Sequence, residues 1–287
     1  MVRHLGIVGA GTMGTGIAQA AALSNIDVLL YDVNETILRR SLETIKADFK
    51  RLVEKRKLSP EKMSTSFARI HPRTHLADLH TSEIVIEAII EDLRVKKDLF
   101  KHLDTHVRTS AVLASNTSSF SITAIASATK DPARVIGMHF FNPAQTMKLV
   151  EVIRGEQSSD ESIQRGLELA QGMGKTAVVA KDRPGFIVNR IARPFYGEAL
   201  RLLGENVATH EQIDRIVRQE GGFKMGPFEL MDLIGIDVNL AVTESVFQQY
   251  YGEPRYRPHP IQRRMVDSGL LGKKTGKGFY VYQNVKK

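Results

Sequence analysis

The stretch HLGIVGAGTMGTGIAQAAALSN, residues 4–25, decides the fold of the first half of this chain. It places a short apolar strand directly before Gly9-Ala10-Gly11-Thr12-Met13-Gly14 and an Ala-rich helix directly after it. Gly9 allows the tight turn, Gly11 lets the backbone approach a pyrophosphate, and Gly14 lets the helix pack close to the strand. The N-terminus of the helix then faces the anion. This order predicts a dinucleotide-binding unit.

An acidic residue after the next strand indicates which dinucleotide is bound. The strand Asp27–Tyr31 leads into Asp32, which lies 18 residues after Gly14. An acid at this position hydrogen-bonds the adenosine ribose hydroxyls and repels a 2′-phosphate, so the predicted cofactor is NAD rather than NADP. A glycine-rich turn without a nucleotide is the alternative, and the sequence context disfavours it. The predicted cofactor residues here are Gly9, Gly11, Thr12, Met13, Gly14 and Asp32.

The strand and helix alternation that continues along the chain predicts a parallel sheet. Further strands are expected at 84–88, 111–114 and 176–180, with helices at about 92–107 and 159–173. The long charged stretch 35–57, followed by a capping sequence at Ser59, predicts an antiparallel helical arm. Residues 181–185 read as a linker, and four apolar-periodic helices follow it. We therefore predict an α/β Rossmann-type domain with a helical arm over 1–183 and an all-α domain over 184–287.

Composition excludes several classes of protein. The chain has 287 residues, 42% of them apolar, and no apolar run approaches the ~20 residues that a membrane helix needs. It contains no cysteine, which excludes disulfides, thiolate metal sites and thiol catalysis. Met1 leads almost directly into a strand, which leaves no room for a signal or transit peptide, so we expect a cytoplasmic protein or one that is already processed. No membrane contact is predicted.

The net charge of +8 is concentrated in two segments. Residues 35–62 carry nine Lys and Arg against five acids, and residues 253–287 carry nine against two. Two basic segments suit a polyanionic ligand better than a nucleic acid, whose binding face would also want interleaved aromatic residues. Solvated helix faces and a basic tail are the simpler explanation for any single lysine. No nucleic-acid partner is predicted.

The segment RVIGMHFFNPAQTMKLVEVIRG, residues 134–155, holds the candidate chemistry. Two strand-like runs, 135–141 and 148–153, flank a turn, so we expect neighbouring strands. His139 lies near the end of the first run and Glu151 inside the second. Both are costly to bury unpaired, which favours a His–carboxylate pair acting as a positioned general base. A satisfied core histidine with Glu151 facing water is the alternative.

His102 and His106 have the i, i+4 spacing of a two-histidine metal site. Neither HExxH nor an evident third ligand accompanies them, so a hydrated helix face explains both, and no metal is predicted.

Several motifs in order give the chain a close resemblance to L-3-hydroxyacyl-CoA dehydrogenases, in particular to bacterial 3-hydroxybutyryl-CoA dehydrogenases. They are GAGTMGTGIAQ with Asp32, EAIIED, SNTSS, GMHFFNPAQTMKLVEVI, KDRPGFIVNR, GPFELMDLIGID and the terminal GKKTGKGFY. The resemblance implies NAD-dependent oxidation of (S)-3-hydroxyacyl-CoA, most readily short-chain 3-hydroxybutyryl-CoA, and the reverse reduction. It also implies a role in fatty acid or butanoate metabolism. The apolar surface of the C-terminal helical domain separately predicts a homodimer formed through that domain.

The resemblance also implies roles for single residues. His139 is similar to the catalytic base and Glu151 to its partner, while Ser118 and Asn189 match the groups that hold the 3-oxygen and the acyl carbonyl of the substrate. Glu91, Lys96 and Asn116 match nicotinamide-side cofactor positions, and Lys55 in the arm matches a lysine that contacts CoA. Asp48 departs from the small polar residue of some relatives, and Gln145-Thr146 departs from Pro-Val after FNPA.

Two other functional classes share this plan. A dehydrogenase of free 3-hydroxy acids would lack the basic arm and would usually rely on a lysine where this chain has its histidine pair. A non-enzymatic NAD-binding protein descended from a dehydrogenase is the second, and the intact set of His139, Glu151, Ser118 and Asn189 disfavours it. Ser118 taken alone could be the N-cap of the following helix, and it could also serve in both roles.

Overall fold

A computed structural model describes residues 2–283 of the chain. The chain divides into two compact units, Met1–Arg183 and Pro184–Lys287. Lys286 and Lys287 of the second basic segment lie outside the described residues.

The first unit is built on one eight-stranded sheet. Its strands are β1 (His4–Val8), β2 (Asp27–Tyr31), β3 (Ile70–Arg73), β4 (Ile84–Glu87), β5 (Val112–Ser115), β6 (Val135–Phe140), β7 (Leu149–Arg154) and β8 (Thr176–Lys181). Their order across the sheet is β3-β2-β1-β4-β5-β6-β7-β8. All neighbouring pairs are parallel except β6 and β7, which are antiparallel.

Helices connect the strands. They are α1 (Thr12–Leu23), α2 (Glu35–Glu54), α3 (Pro60–Phe67), α4 (Leu93–His106), α5 (Ile122–Ala126) and α6 (Asp160–Gly172), with short 3₁₀ turns at Leu76–Thr81 and Pro132–Arg134. The central strands are buried throughout, as expected where helices cover a parallel sheet. The predicted arm is the pair α2 and α3, and α2 buries Leu38, Ile45 and Phe49 in the same core as α1. The side chain of Ser59 caps α3 by accepting from the Lys62 N–H at 3.1 Å.

The edge strand β3 was not predicted. It has only four residues, IHPR, and includes Pro72, which lacks an N–H and therefore weakens the strand pattern. Its place is decided by pairing with β2 rather than by local preference.

The second unit is helical. Its helices are α7 (Val188–Gly204), α8 (His210–Gln219), α9 (Pro227–Ile234), α10 (Ile236–Gln249) and α11 (Pro260–Asp267), with 3₁₀ turns at Pro254–Tyr256 and Lys273–Thr275. Buried apolar side chains such as Leu200, Phe228 and Met231 form its core. The predicted fold class, a Rossmann-type domain with a helical arm followed by an all-α domain, is confirmed.

Two buried aspartates form hydrogen bonds between these helices and the C-terminal segment 279–282. Asp232 accepts hydrogen bonds from the backbone N–H groups of Phe279 and Tyr280 and from the hydroxyl of Tyr282. Asp214 accepts from the hydroxyl of Tyr280 at 2.9 Å. The segment that follows the helices is therefore held by side chains of α8 and α9.

Candidate active site

The loop between β1 and α1 has the backbone shape that its glycines permit. Gly9 has φ +100°, a left-handed conformation, and a Cβ added there would lie 2.6 Å from the carbonyl oxygen of Ala88. A Cβ added at Gly14 would lie 1.8 Å from the carbonyl oxygen of Gly9. At Gly11 it would meet nothing within 4 Å, so this face of the loop is open at the N-terminus of α1. An anion can approach the helix N-terminus there.

Asp32 lies at the end of β2, beside this loop. One of its carboxylate oxygens, Oδ2, accepts from the backbone N–H of Ala10 at 2.9 Å, and Oδ1 accepts from that of Asn34 at 3.0 Å. Each carboxylate oxygen has a second lone pair, so both can still accept from ribose hydroxyls. Asp32 therefore both holds the glycine loop and presents a charge beside it.

A cavity of about 700 Å³ joins these groups. It is lined by the glycine loop and Asp32 and by His102 and Asp98 of α4. The side chains between them are mainly apolar, namely Val33, Ile37, Leu76, Ile89, Ile90, Val95 and Leu99. An apolar slot that ends in an acid and an open helix N-terminus fits an adenosine and its pyrophosphate. These residues fit NAD.

His102 is the one of the two histidines that lies in this cavity, with its Nε2 3.7 Å from Oδ2 of Asp98. Within residues 2–283, no group of three or more His, Cys, Asp or Glu side chains is arranged to hold a metal ion.

The predicted cofactor residues Glu91 and Lys96 form one contact group with the SNTSS loop. Oε1 of Glu91 accepts from the hydroxyls of Thr117 (2.5 Å) and Ser119 (2.9 Å) and from the backbone N–H of Ser118 (3.1 Å). Its Oε2 lies 3.2 Å from Nζ of Lys96. Burial raises the pKa of Glu91, but the Lys96 ammonium and the two hydroxyls outweigh it, so the pKa lies below its ordinary value. Glu91 is thus an anion held against the loop.

Glu87 belongs to the same group and was missed by the sequence reasoning. It is the last residue of β4, it is fully buried, and its Oε1 lies 2.5 Å from Nζ of Lys96. The first acid of EAIIED was the available signal, because an acid that ends an apolar strand needs a partner.

His139 and Glu151 are brought together by the pairing of β6 and β7. The two residues are direct neighbours in the antiparallel register, and Nδ1 of His139 lies 2.7 Å from Oε2 of Glu151. The His139 side chain is 7% exposed and that of Glu151 is 0% exposed. The reading in which Glu151 faces water is therefore wrong. An ionised carboxylate can only accept, so Nδ1–H donates to it, and in this tautomer Nε2 is the nitrogen that can take up a proton.

Asn116 and Ser118 lie on the loop that follows β5. Oδ1 of Asn116 accepts from the backbone N–H of Phe140, the residue after His139, at 2.9 Å. Asn116 therefore ties this loop to the end of the histidine strand. Ser118 is half-buried and is not the cap of α5, because that cap is Ser121, whose hydroxyl accepts from the Ala124 N–H at 3.1 Å.

The helical arm borders a second cavity, of about 490 Å³. Arg40, Ser41, Thr44 and Asp48 of α2 line it together with the turn residues Asn142, Pro143 and Gln145. Asp48 accepts from Nη1 of Arg51 at 3.0 Å, so its charge is paired. Lys55 is exposed at the C-cap of α2 and is not among the described residues that line this cavity.

Asn189 lies in the first turn of α7 in the second unit and is half-buried. Its backbone carbonyl accepts from Nε of Arg193 at 3.2 Å. Arg193 is buried and also donates to the carbonyl of Asn239 (2.9 Å) and the hydroxyl of Thr243 (3.0 Å). The substrate contact of Asn189 stays a prediction.

No helix among residues 2–283 combines the length and the apolar character that a membrane crossing requires.

A dinucleotide loop on a parallel sheet, with a buried histidine–carboxylate pair in the same unit, defines a nicotinamide-dependent oxidoreductase. The chain belongs to the 3-hydroxyacyl-CoA dehydrogenase family. The model of the family's NAD-binding domain matches residues 4–183, and the model of its C-terminal domain matches residues 185–282. The resemblance predicted from the motifs is confirmed, and NAD is the cofactor.

Relatives match over almost the whole chain. A protein of Deinococcus radiodurans named probable 3-hydroxybutyryl-CoA dehydrogenase is 47% identical over 277 residues, which cover 96% of this chain and 99% of the relative. The 3-hydroxyadipyl-CoA dehydrogenase of Escherichia coli K12 is 47% identical over 279 residues, or 97% of this chain, which spans 59% of that longer protein. The crystal structure of (S)-3-hydroxybutyryl-CoA dehydrogenase from Ralstonia eutropha superposes with a TM-score of 0.95 at 42% identity, covering 99% of this chain and all of that one.

Proposed function

We propose that the protein interconverts (S)-3-hydroxyacyl-CoA and 3-oxoacyl-CoA with NAD, with 3-hydroxybutyryl-CoA as its preferred substrate. Family membership supports the reaction, and the names of the Deinococcus and Ralstonia relatives support the short acyl chain. One observation carries the proposal: the 2.7 Å contact between Nδ1 of His139 and Oε2 of Glu151 inside the NAD-binding unit.

The histidine pair supplies the acid–base chemistry of this reaction. Oxidation of a secondary alcohol needs a base for the hydroxyl proton and a hydride acceptor, which NAD would supply when bound. Nε2 of His139 takes that proton, since Nδ1 is engaged by Glu151. The Glu151 carboxylate stabilises the imidazolium that forms and holds the ring in one tautomer. In the reduction, the same Nε2 returns the proton.

Further polar residues hold the substrate in this proposal. The Ser118 hydroxyl binds the 3-oxygen and the Asn189 amide binds the acyl carbonyl, as their matched positions in the family imply. Glu91, Lys96 and Asn116 serve the nicotinamide side, and Lys55 serves the CoA phosphates. We place the pantetheine chain in the cavity of about 490 Å³ that the arm and residues 142–145 border.

The test is NADH oxidation with acetoacetyl-CoA compared with free acetoacetate. Activity with acetoacetyl-CoA and none with free acetoacetate supports the proposal. A higher kcat/KM with free acetoacetate than with acetoacetyl-CoA supports a dehydrogenase of free acids. Binding of NADH without turnover of either compound supports a non-enzymatic protein.

A parallel assay with 3-oxoadipyl-CoA tests the acyl-chain preference, because the E. coli relative is named 3-hydroxyadipyl-CoA dehydrogenase. A higher kcat/KM with 3-oxoadipyl-CoA would contradict the short-chain assignment.

We further propose a homodimer formed through the helical unit, located in the cytoplasm and serving fatty acid or butanoate metabolism. The helical unit has exposed large apolar side chains such as Ile191 (69%), Val207 (64%) and Ile216 (59%). Of the 16 large apolar side chains that are exposed within residues 2–283, ten belong to this unit, and exposed apolar side chains are typical of a surface that another chain covers. Sedimentation analysis tests this, and a single species with the mass of one chain would contradict it.

A further inference from the structure

Glu87 is a fully buried carboxylate to which the proposed mechanism gives no role. Its Oε1 accepts from Nζ of Lys96 at 2.5 Å and from the backbone N–H of Ile89 at 2.8 Å, and its Oε2 accepts from the hydroxyl of Ser115 at 2.6 Å. A buried carboxylate is costly unless charge and hydrogen bonds compensate it. Three donors, one of them charged, provide that compensation here.

Lys96 links Glu87 to Glu91. Its side chain is 1% exposed, and its ammonium lies 2.5 Å from Oε1 of Glu87 and 3.2 Å from Oε2 of Glu91. Glu91 is 39% exposed, so it is the member of this row that faces outward. The position of Glu91 is therefore set from the protein interior, by a cation that Glu87 holds in place.

The loop 115–120 is tied to this row at two points. Ser115 donates to Glu87, while Thr117, Ser119 and the Ser118 N–H donate to Oε1 of Glu91. The backbone amides of Thr117, Ser119 and Phe120 also donate to side chains of the loop, whereas that of Asn116 donates to the backbone carbonyl of Glu87. The N–H of Thr117 donates to Oγ of Ser115 at 3.3 Å, and that of Phe120 donates to Oγ1 of Thr117 at 3.0 Å. A displacement of Lys96 would therefore loosen the part of the loop that Glu91 holds, residues 117–120.

We propose that Glu87 is a positioning residue of this enzyme, which acts through Lys96 to hold Glu91 and the Ser118 loop in their active arrangement. This rests on the proposed function, in which Ser118 binds the substrate oxygen and Glu91 lies at the nicotinamide side. With an uncharged residue at 87, Lys96 has one anionic partner instead of two. Its ammonium then moves toward Glu91, and Oε1 of Glu91 loses its alignment with the loop.

Glu87→Gln is the test variant, and Asp104→Asn is its matched control. The Asp104 side chain is 5% exposed and its Oδ1 lies 2.8 Å from Nη2 of Arg134, so each change removes the anion of a buried ion pair in the same unit. Hydrogen exchange of the amides of residues 117–120, measured without cofactor, reports the loop directly. We expect it to become about tenfold faster in Glu87→Gln and to stay unchanged in Asp104→Asn.

Function should separate the same two variants. Glu87→Gln should lower kcat about tenfold to hundredfold, the effect of misplaced reacting groups, with little change in KM for acetoacetyl-CoA. Its Kd for NADH should rise about fivefold, which corresponds to the loss of one hydrogen bond. Asp104→Asn should lower Tm while kcat and the Kd for NADH stay close to the wild-type values.

A fall in Tm like that of Asp104→Asn, with wild-type loop exchange and kcat, would show that Glu87 only stabilises the fold. If Glu87→Gln does not fold, Glu87→Asp decides, because it keeps the buried charge and withdraws it by one methylene from Lys96. Faster exchange at residues 117–120 with a lower kcat supports the proposal, and wild-type values overturn it. A wild-type protein inactive with acetoacetyl-CoA would instead refute the proposed function, while loop exchange and NADH binding would still test Glu87.

Discussion

Replacing Glu151 with glutamine tests whether His139 and Glu151 act as one catalytic unit. The change keeps the side-chain volume in a fully buried position and removes the charge that lies 2.7 Å from Nδ1 of His139. The imidazolium formed during alcohol oxidation then loses its counter-charge. Stability and turnover should respond differently, because only turnover depends on that charge at the moment of proton transfer.

The expected magnitude follows from the distance between the two charges. Opposite unit charges about 4 Å apart, in an effective dielectric of about 20, attract by about 4 kcal/mol. Each 1.4 kcal/mol corresponds to about a tenfold change in rate, so the full loss would be about 10³-fold. The amide oxygen of glutamine can still accept from Nδ1–H and retains part of the effect. We expect kcat to fall about 10²–10³-fold, with little change in the KM for acetoacetyl-CoA.

The double-mutant cycle completes the test. His139→Ala removes the base and should lower kcat about 10²–10⁴-fold. If the carboxylate acts only through the imidazole, the double variant should be scarcely worse than His139→Ala alone. The assay is steady-state NADH oxidation with acetoacetyl-CoA, combined with Tm for each variant.

A control carboxylate lies just beyond the same strand. Glu156 is 64% exposed and lies 3.1 Å from Nη1 of Arg183, so Glu156→Gln removes a surface charge and should leave both kcat and Tm unchanged. Losses that multiply in the double variant would refute the catalytic pair. So would a Glu151→Gln variant that loses thermal stability but keeps its turnover, since Glu151 would then be a structural acid.

Three further predictions concern the cofactor, the arm and the C-terminal segment. Asp32→Ala should narrow the preference for NADH over NADPH and raise the KM for NADH, because Asp32 also holds the glycine loop; an unchanged preference in steady-state kinetics would contradict this. If residues 35–62 bind the phosphates of CoA, salt should raise the KM for acetoacetyl-CoA more than the KM for a short pantetheine thioester. Equal salt dependence of the two KM values would refute phosphate binding by this segment. Burial, followed by hydrogen bonds to buried aspartates, raises the pKa of Tyr280 and of Tyr282. Their stabilisation is therefore fully present below about pH 10, where unfolded tyrosine ionises, and is lost as the pH rises further. Thermal unfolding measured between neutral and alkaline pH should show this loss of stability. A Tyr280→Phe, Tyr282→Phe double variant should be less stable near neutral pH, and its stability should depend less on pH. Tyr251→Phe, which changes a 99% exposed side chain, should alter neither the stability nor its pH dependence.

The sequence by itself determined the fold class, the cofactor and the candidates for the chemistry. These follow from short-range patterns: a strand, three spaced glycines and a helix over residues 4–25, an acid after the next strand, and one polar residue in each of two apolar runs. Such patterns are readable because their physical cause acts within a few residues. Such short-range causes include the periodicity of helices and strands, the conformation of turns and the cost of burying a charge.

Tertiary structure alone decided the contacts between distant residues. The register of β6 and β7 places His139 opposite Glu151, and a shift by one residue would point one of them to the other face of the sheet. The edge strand β3 exists because β2 offers it a partner, since its own sequence favours no strand. Glu87 and Ser115 meet across 28 residues, at the ends of adjacent parallel strands, and local sequence does not specify that neighbour. The buried row that runs from Glu87 to the Ser118 loop therefore became visible only when the strands were placed side by side.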